Sequence, residues 1–218
     1  MREKSDWRIL LEESPPIMPG DFEELWNNTV VQIQCLQENS FLSDGYRVLD
    51  FGCGNGRLAM LMPALNIEYV GIDIHAPSID FCTHAFAPWT HCTFRHLDVR
   101  HRLYNPYGVI PEDLLSLPFR SASFDSLIAG SVFTHLENEA IAVRCLQEIF
   151  RVLKPGGRFF CSWFRSPPNS TSWDPYRTVF AESAIRHMLR KFEWLADRDG
   201  QSEARHDQWA IFLRKPKK

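Results

Sequence analysis

Apolar positions along the chain fall into two patterns. Short, nearly continuous apolar runs at 46–51, 67–73, 91–98, 123–130, 158–163 and 208–214 predict strands. Longer stretches at 21–39, about 57–65, 76–86, 138–153 and 176–190 carry apolar residues at helical spacing and separate most of those runs. Asp21 stands where it can cap the first of these helices. Residues 1–20 are polar and carry Pro15, Pro16 and Pro19, so they are expected to drape over the surface. Strands that are apolar throughout must be covered on both faces, and their alternation with helices predicts a mostly parallel α/β sheet. Right-handed crossovers then bring the C-terminal ends of the parallel strands to one edge, where ligands bind in such folds.

The run Val48-Leu-Asp-Phe-Gly-Cys-Gly-Asn-Gly-Arg57 joins the first strand to a helical stretch through glycines at 52, 54 and 56. A backbone without side chains admits a ligand closely, so this turn is a candidate nucleotide site. The dinucleotide fingerprint G-x-G-x-x-G would need glycine at 57, where Arg57 stands. Asp73 ends the second strand, 23 residues after Asp50, and a carboxylate there can accept both hydroxyls of a ribose. It could equally cap the helix starting near Pro77.

Asp50-x-Gly-x-Gly-x-Gly56 resembles the first motif of class I S-adenosylmethionine (SAM)-dependent methyltransferases. Ser123-Phe-Asp-Ser-Leu-Ile-Ala-Gly-Ser-Val-Phe-Thr-His-Leu136 and Glu148-Ile-Phe-Arg-Val-Leu-Lys-Pro-Gly-Gly157 are similar to that family's later motifs, so the resemblance covers roughly 46–163. It implies a Rossmann-like, doubly wound, seven-stranded fold in one domain, with 1–40 as an N-terminal segment and helix and 41–218 as the methyltransferase domain. It also implies SAM as cofactor and S-adenosylhomocysteine as product. The cofactor-binding candidates are Asp50, Gly52, Gly54, Gly56, Arg57, Asp73, Ile74, Asp98, Val99 and Ser131. Asp98 falls where the family holds the adenine amino group, with Asp113 as its rival. Arg57 either reaches the cofactor's carboxylate or lies along the start of the following helix. Val-Phe-Thr-His-Leu136 and Tyr104-Asn-Pro-x-Gly108 resemble the branch acting on small molecules and sugars.

His135 follows the fourth strand and is the candidate base, because histidine titrates near neutral pH without large tuning. Its alternative is to hold the loop through the backbone. Segments 100–117 and 166–176 interrupt the alternation and are candidate substrate loops. From them and their surroundings come the acceptor-binding candidates Tyr104, Tyr107, Trp163 and Trp173. Lys154-Pro-Gly-Gly157 stops a helix, since proline cannot continue it.

Charge and cysteine usage narrow the class further. A net charge of −3 with acids and bases mixed argues against a nucleic-acid surface. Six cysteines without a C-x-x-C pair, and scattered histidines, give no metal spacing and fit a reduced cytoplasmic enzyme. No apolar run reaches the ~20 residues of a membrane span, and the charged start leads into no signal-like region. The short C-terminal 215–218 is expected to be a solvated tail. Expected, then, is methyl transfer to a small-molecule acceptor, a hydroxyl of a sugar or natural product, in a protein of undetermined oligomeric state. The alternatives are an NAD(P)-dependent oxidoreductase and a non-catalytic SAM-binding protein. Amino-methylation of adenine or glutamine through Asn/Asp-Pro-Pro-Tyr is disfavoured, because strand four ends Ala129-Gly-Ser-Val132.

Overall fold

Strands form where the apolar runs are densest. The computed structural model describes residues 3–12, 14–15, 21–165, 178–199 and 208–217. The chain divides into two compact units, Met1–Ile110 and Pro111–Lys218. The first holds helices α1 (Lys4–Glu12), α2 (Phe22–Glu38) and α3 (Ala76–Ala85), with strands β1 (Arg47–Phe51), β2 (Glu68–Asp73) and β3 (Cys92–His96). Its strands run parallel in the order β3-β2-β1, with Asp50 opposite Gly71 and Asp73 opposite His96.

The second unit carries β4 (Phe124–Ala129), α4 (Glu139–Val152), β5 (Leu153–Arg165), β6 (Val179–Phe180), α5 (Glu182–Met188), β7 (Glu193–Asp199) and β8 (Trp209–Arg214). Its strand order is β4-β5-β8-β7, with β6 beside β5. β4 and β6 run parallel to β5, whereas β8 pairs antiparallel with both β5 and β7. The mostly parallel α/β fold is the expected one. The described residues hold eight strands rather than seven.

The remaining differences have local causes. No α-helix spans 57–65; two 3₁₀ turns, Leu58–Met60 and Met62–Ala64, stand there instead, because Pro63 has no N–H to give the preceding turn. Within 176–190 a two-residue strand precedes a shorter helix. β7 has no apolar alternation, and most of its residues are exposed. Residues 4–12, expected as surface drape, form a helix whose Trp7 is 2% exposed. Asp21 does sit at the N-cap of α2, yet its side chain makes no capping hydrogen bond. Asn138 does cap α4, its side chain accepting from the N–H of Ile141 at 3.1 Å.

Lys215 is not a solvated tail residue. Its Nζ donates to the carbonyls of Phe150 (2.7 Å) and Leu153 (2.8 Å), satisfying acceptors at the end of α4. The Pro155 turn is absorbed as a register shift where β5 meets β4, with Gly156 at φ +78°.

Candidate cofactor site

Within the first unit, β1 ends at Phe51 and the backbone turns sharply. Gly52 N and Cys53 N both donate to Ile72 O, at 2.8 and 3.0 Å, which fastens the glycine turn to the end of β2. Gly52, Gly54 and Gly56 adopt φ of +81°, +52° and +75°, a region that favours glycine. The three glycines are not equivalent. A methyl group on Gly54 would meet nothing within 4 Å. One on Gly56 would lie 2.8 Å from Phe86 Cε2 and 3.0 Å from Cys82 Sγ. Gly54 thus presents bare backbone to open space, while Gly56 lets the turn pack on α3 from behind.

Asp73 closes the turn. Its Oδ2 accepts from Gly54 N and its Oδ1 from His75 N, both at 2.8 Å. Each oxygen keeps acceptor capacity, and the residue is partly exposed. Burial raises its pKa, outweighing the backbone N–H groups of His75 and Gly54. His75, not Asp73, occupies the N-cap position of α3, and its side chain makes no capping hydrogen bond. Ile74 lies beside it, its carbonyl meeting His96 Nε2 at 3.0 Å.

Asp50 is 4% exposed and accepts from the Tyr69 hydroxyl at 2.6 Å. Burial pushes its carboxyl up to about 6, against the pull of Tyr69 and the Arg57 guanidinium, with Asp73 adding to the rise. Arg57 neither lies along the following helix nor stands alone. Its Nη2 donates to Gln32 Oε1 (2.6 Å) and its Nη1 to Thr29 Oγ1 (3.3 Å), both on α2. That contact fixes the Gln32 amide orientation and leaves Nε2, a buried donor, with no partner among the described residues.

Asp98 follows β3 and is steadied by the insertion behind it. Asn105 Nδ2 donates to Asp98 Oδ1 and to Val99 O, each at 3.1 Å. Val99 is buried and bridges to Ile110. Tyr104 stacks on His101 at 5.1 Å, and its phenol is raised by burial and by the Asp73 carboxylate. Tyr104 is partly buried, whereas Tyr107 is 91% exposed.

In the second unit, Ser131 follows β4 at φ +61°. Its N–H donates to Ser162 Oγ (2.8 Å), and its own hydroxyl to Gln208 Oε1 (3.2 Å). Thr134 Oγ1 donates back to Ser131 O at 2.7 Å. This network shapes the loop carrying His135, which is partly exposed and whose N–H donates to Val132 O at 3.0 Å. Trp163 does not line an acceptor site. It is fully buried, stacked on Phe133 at 4.3 Å and edge-on to Phe180 at 5.4 Å. Trp173 and loop 166–176 lie outside the described residues. Among the described residues no group of histidines, cysteines and acids could hold a metal, and no helix is long and apolar enough to cross a membrane.

The methyltransferase domain family matches residues 49–161, more than half of the chain. The chain belongs to that family. This methyltransferase domain is 28% identical to the tRNA (carboxymethyluridine(34)-5-O)-methyltransferase of Arabidopsis thaliana over 66% of the chain and 31% of that protein. It is 31% identical to the demethylmenaquinone methyltransferase of Thermus thermophilus over 62% of the chain and 54% of that protein. The chain thus spans between a third and about half of the length of these curated relatives.

Two solved structures share its fold. A SAM-dependent methyltransferase from Methanosarcina mazei matches with a TM-score of 0.64 at 18% identity, covering 84% of this chain and 98% of that one. A putative sarcosine dimethylglycine methyltransferase from Galdieria sulphuraria matches with 0.69 at 12%, covering 98% of each. The cofactor of such domains is SAM, and the residues present fit it. Gly54 leaves open space, Asp73 offers a carboxylate at the strand end, and Gln32 Nε2, a donor without a partner among the described residues, suits a carboxylate ligand.

Sequence reasoning missed Gln32, Thr29, Asn55, His75, Ser78 and Asn105 around this site. Two of them carried a signal: Asn55 as a polar residue enclosed by two glycines, and Asn105 as part of Tyr104-Asn-Pro-x-Gly108. The others come from stretches with no motif of their own.

Proposed function

We propose that this chain transfers the methyl group of SAM to a small-molecule acceptor, a hydroxyl of a sugar or natural product. The observation that carries this is the Asp73 carboxylate, held by two backbone N–H groups at the lip of a glycine turn whose Gly54 faces open space. SAM supplies an electrophilic methyl on a sulfonium centre. Asp73 accepts the ribose hydroxyls, and Asp98, steadied by Asn105, receives the adenine amino group. Arg57 and Gln32 bind the carboxylate of the amino-acid end, with the buried Asp50 adding negative charge near its ammonium. Gly52 and Gly54 admit the chain of the cofactor, while Ile74 and Val99 border it, and the family resemblance adds Ser131 to the cofactor-binding set. His135 takes the proton from the acceptor hydroxyl. Most of the acceleration comes from holding donor and acceptor in near-attack geometry.

A small acceptor fits the charge. The named relatives act on a tRNA uridine and on demethylmenaquinone, and this chain's net charge of −3 supports the smaller kind of acceptor. Among the described residues, Tyr104 is the partly buried acceptor-side candidate.

The test is parallel calorimetric titration with SAM, S-adenosylhomocysteine and NADH, followed by methyl-labelled SAM with candidate hydroxyl acceptors and bulk tRNA. Expected are binding of both sulfur ligands and none of NADH, with label entering a small molecule. Asp73→Ala should weaken SAM binding by about 100-fold, the loss of a charge-assisted pairing. His135→Ala should lower turnover more than affinity. NADH binding alone would make the chain an oxidoreductase; label in tRNA would replace the acceptor class.

A further inference from the structure

Asp73 belongs to a closed hydrogen-bonded ring that continues into the N-terminal segment. Asn55, between Gly54 and Gly56, is 3% exposed. Its Nδ2 donates to Pro15 O at 2.7 Å and to Ser14 Oγ at 2.9 Å. A proline carbonyl only accepts, so the amide orientation is settled and Oδ1 is the acceptor. Ser78 Oγ donates to that oxygen at 2.5 Å. Having given its one proton, the hydroxyl accepts from His75 Nδ1 at 2.9 Å. His75 N then returns to Asp73 Oδ1, and Gly54 N to Asp73 Oδ2. The ring Asp73–Gly54–Asn55–Ser78–His75 therefore fixes both oxygens of the carboxylate.

The N-terminal segment grips the turn by a second route. Ser14 Oγ donates to Leu11 O at 2.8 Å, tying the end of α1 to the strap. Trp7 of α1 packs on Phe86 at 4.8 Å and on Trp89 at 5.7 Å. Phe86 is the ring a methyl on Gly56 would strike. Lys4 and Arg8 pair with Glu23 of α2, the helix that holds Arg57 through Gln32 and Thr29. Residues 4–12 and 14–15 thus hold the turn through part-buried hydrogen bonds and through aromatic packing.

We infer that helix α1 with Ser14 and Pro15 is part of the cofactor-binding machinery, and that Asn55 is the positioning residue through which their docking and the geometry of the Asp73–Gly54 site are linked. The inference rests on the proposed SAM site. Docking restrains the turn in the geometry that receives the cofactor, so by reciprocity the cofactor must favour the docked segment. Asn55→Asp separates the two halves of the link. It keeps the acceptor for Ser78 and loses both donors to Ser14 and Pro15.

The experiment combines calorimetry with S-adenosylhomocysteine and amide hydrogen exchange of residues 3–12, with and without that ligand. In the wild type the ligand should slow exchange in α1 several-fold. In Asn55→Asp its affinity should fall by about tenfold, and the slowing in α1 should vanish. Ser14→Ala, which removes one acceptor and leaves Asn55 intact, should reproduce both effects more weakly. A merely structural contact would loosen α1 equally with and without ligand. The inference is overturned if the wild type binds the ligand while exchange in α1 is indifferent to it, or if Asn55→Asp binds as the wild type does. Absence of binding to the wild type would instead overturn the SAM reading itself.

Discussion

Glycines 54 and 56 look identical in sequence, and both have positive φ, yet their surroundings differ. Gly54→Ala adds a methyl to open space and suffers only the backbone strain of a left-handed residue, about 1–2 kcal/mol. Gly56→Ala adds the same strain and drives the methyl onto Phe86 and Cys82, an overpacking of about 1–3 kcal/mol more. Urea unfolding should therefore rank Gly56→Ala as the less stable variant. Titration with S-adenosylhomocysteine should show that Gly54→Ala, though more stable, has lost affinity because its methyl occupies the face left open to the cofactor.

Asp50 gives a pH dependence of definite sign. Its folded pKa of about 6 lies above the ordinary carboxyl value, so between about pH 4 and pH 6 the native state holds more protons than the unfolded chain. Stability from this group is consequently lost as pH rises through that window. Asp50→Asn does not titrate and keeps an acceptor for the Tyr69 hydroxyl. Its stability relative to the wild type should rise by about 2 kcal/mol between pH 4 and pH 7, read from chemical unfolding at both pH values. A pH-independent difference would remove burial as the cause of the shift.

At the scale of elements, α4 shows how a terminus is completed from far along the chain. The Lys154-Pro-Gly-Gly157 stop was legible, because proline cannot continue a helix. That Lys215 would supply donors to the carbonyls of Phe150 and Leu153 was not, since nothing in a lysine near the C-terminus distinguishes a cap from a tail. Lys215→Met removes both donors together with the ammonium that lies 4.5 Å from the Phe150 ring centroid. It should cost about 1 kcal/mol in urea unfolding, modest because the ammonium is partly exposed and water can replace it. The strands β1, β2 and β4 were readable because burial on both faces forces a continuous apolar run, whereas in β3 only Cys92 is buried. β7 was not, because an exposed strand has no such constraint. Trp7 and Trp163 show the same limit in single residues: a buried tryptophan and a ligand-facing one are spelled alike, and only their neighbours distinguish them.

For the molecule as a whole, the sequence by itself determined the α/β class, the glycine turn after β1, the carboxylate at the end of β2 and the family to which the chain belongs. These follow from local constraints: strand burial, the need for glycine at positive φ, and fixed spacing along one βαβ unit. Only the tertiary structure decided which atoms meet Asp73, that Arg57 is held by α2, that Asn105 steadies Asp98, and that the N-terminal segment reaches Asn55 from 40 residues away. Such contacts join elements far apart in sequence. Hydrogen bonding at these distances depends on where backbones come to lie after packing, and no periodicity or motif along the chain encodes that placement.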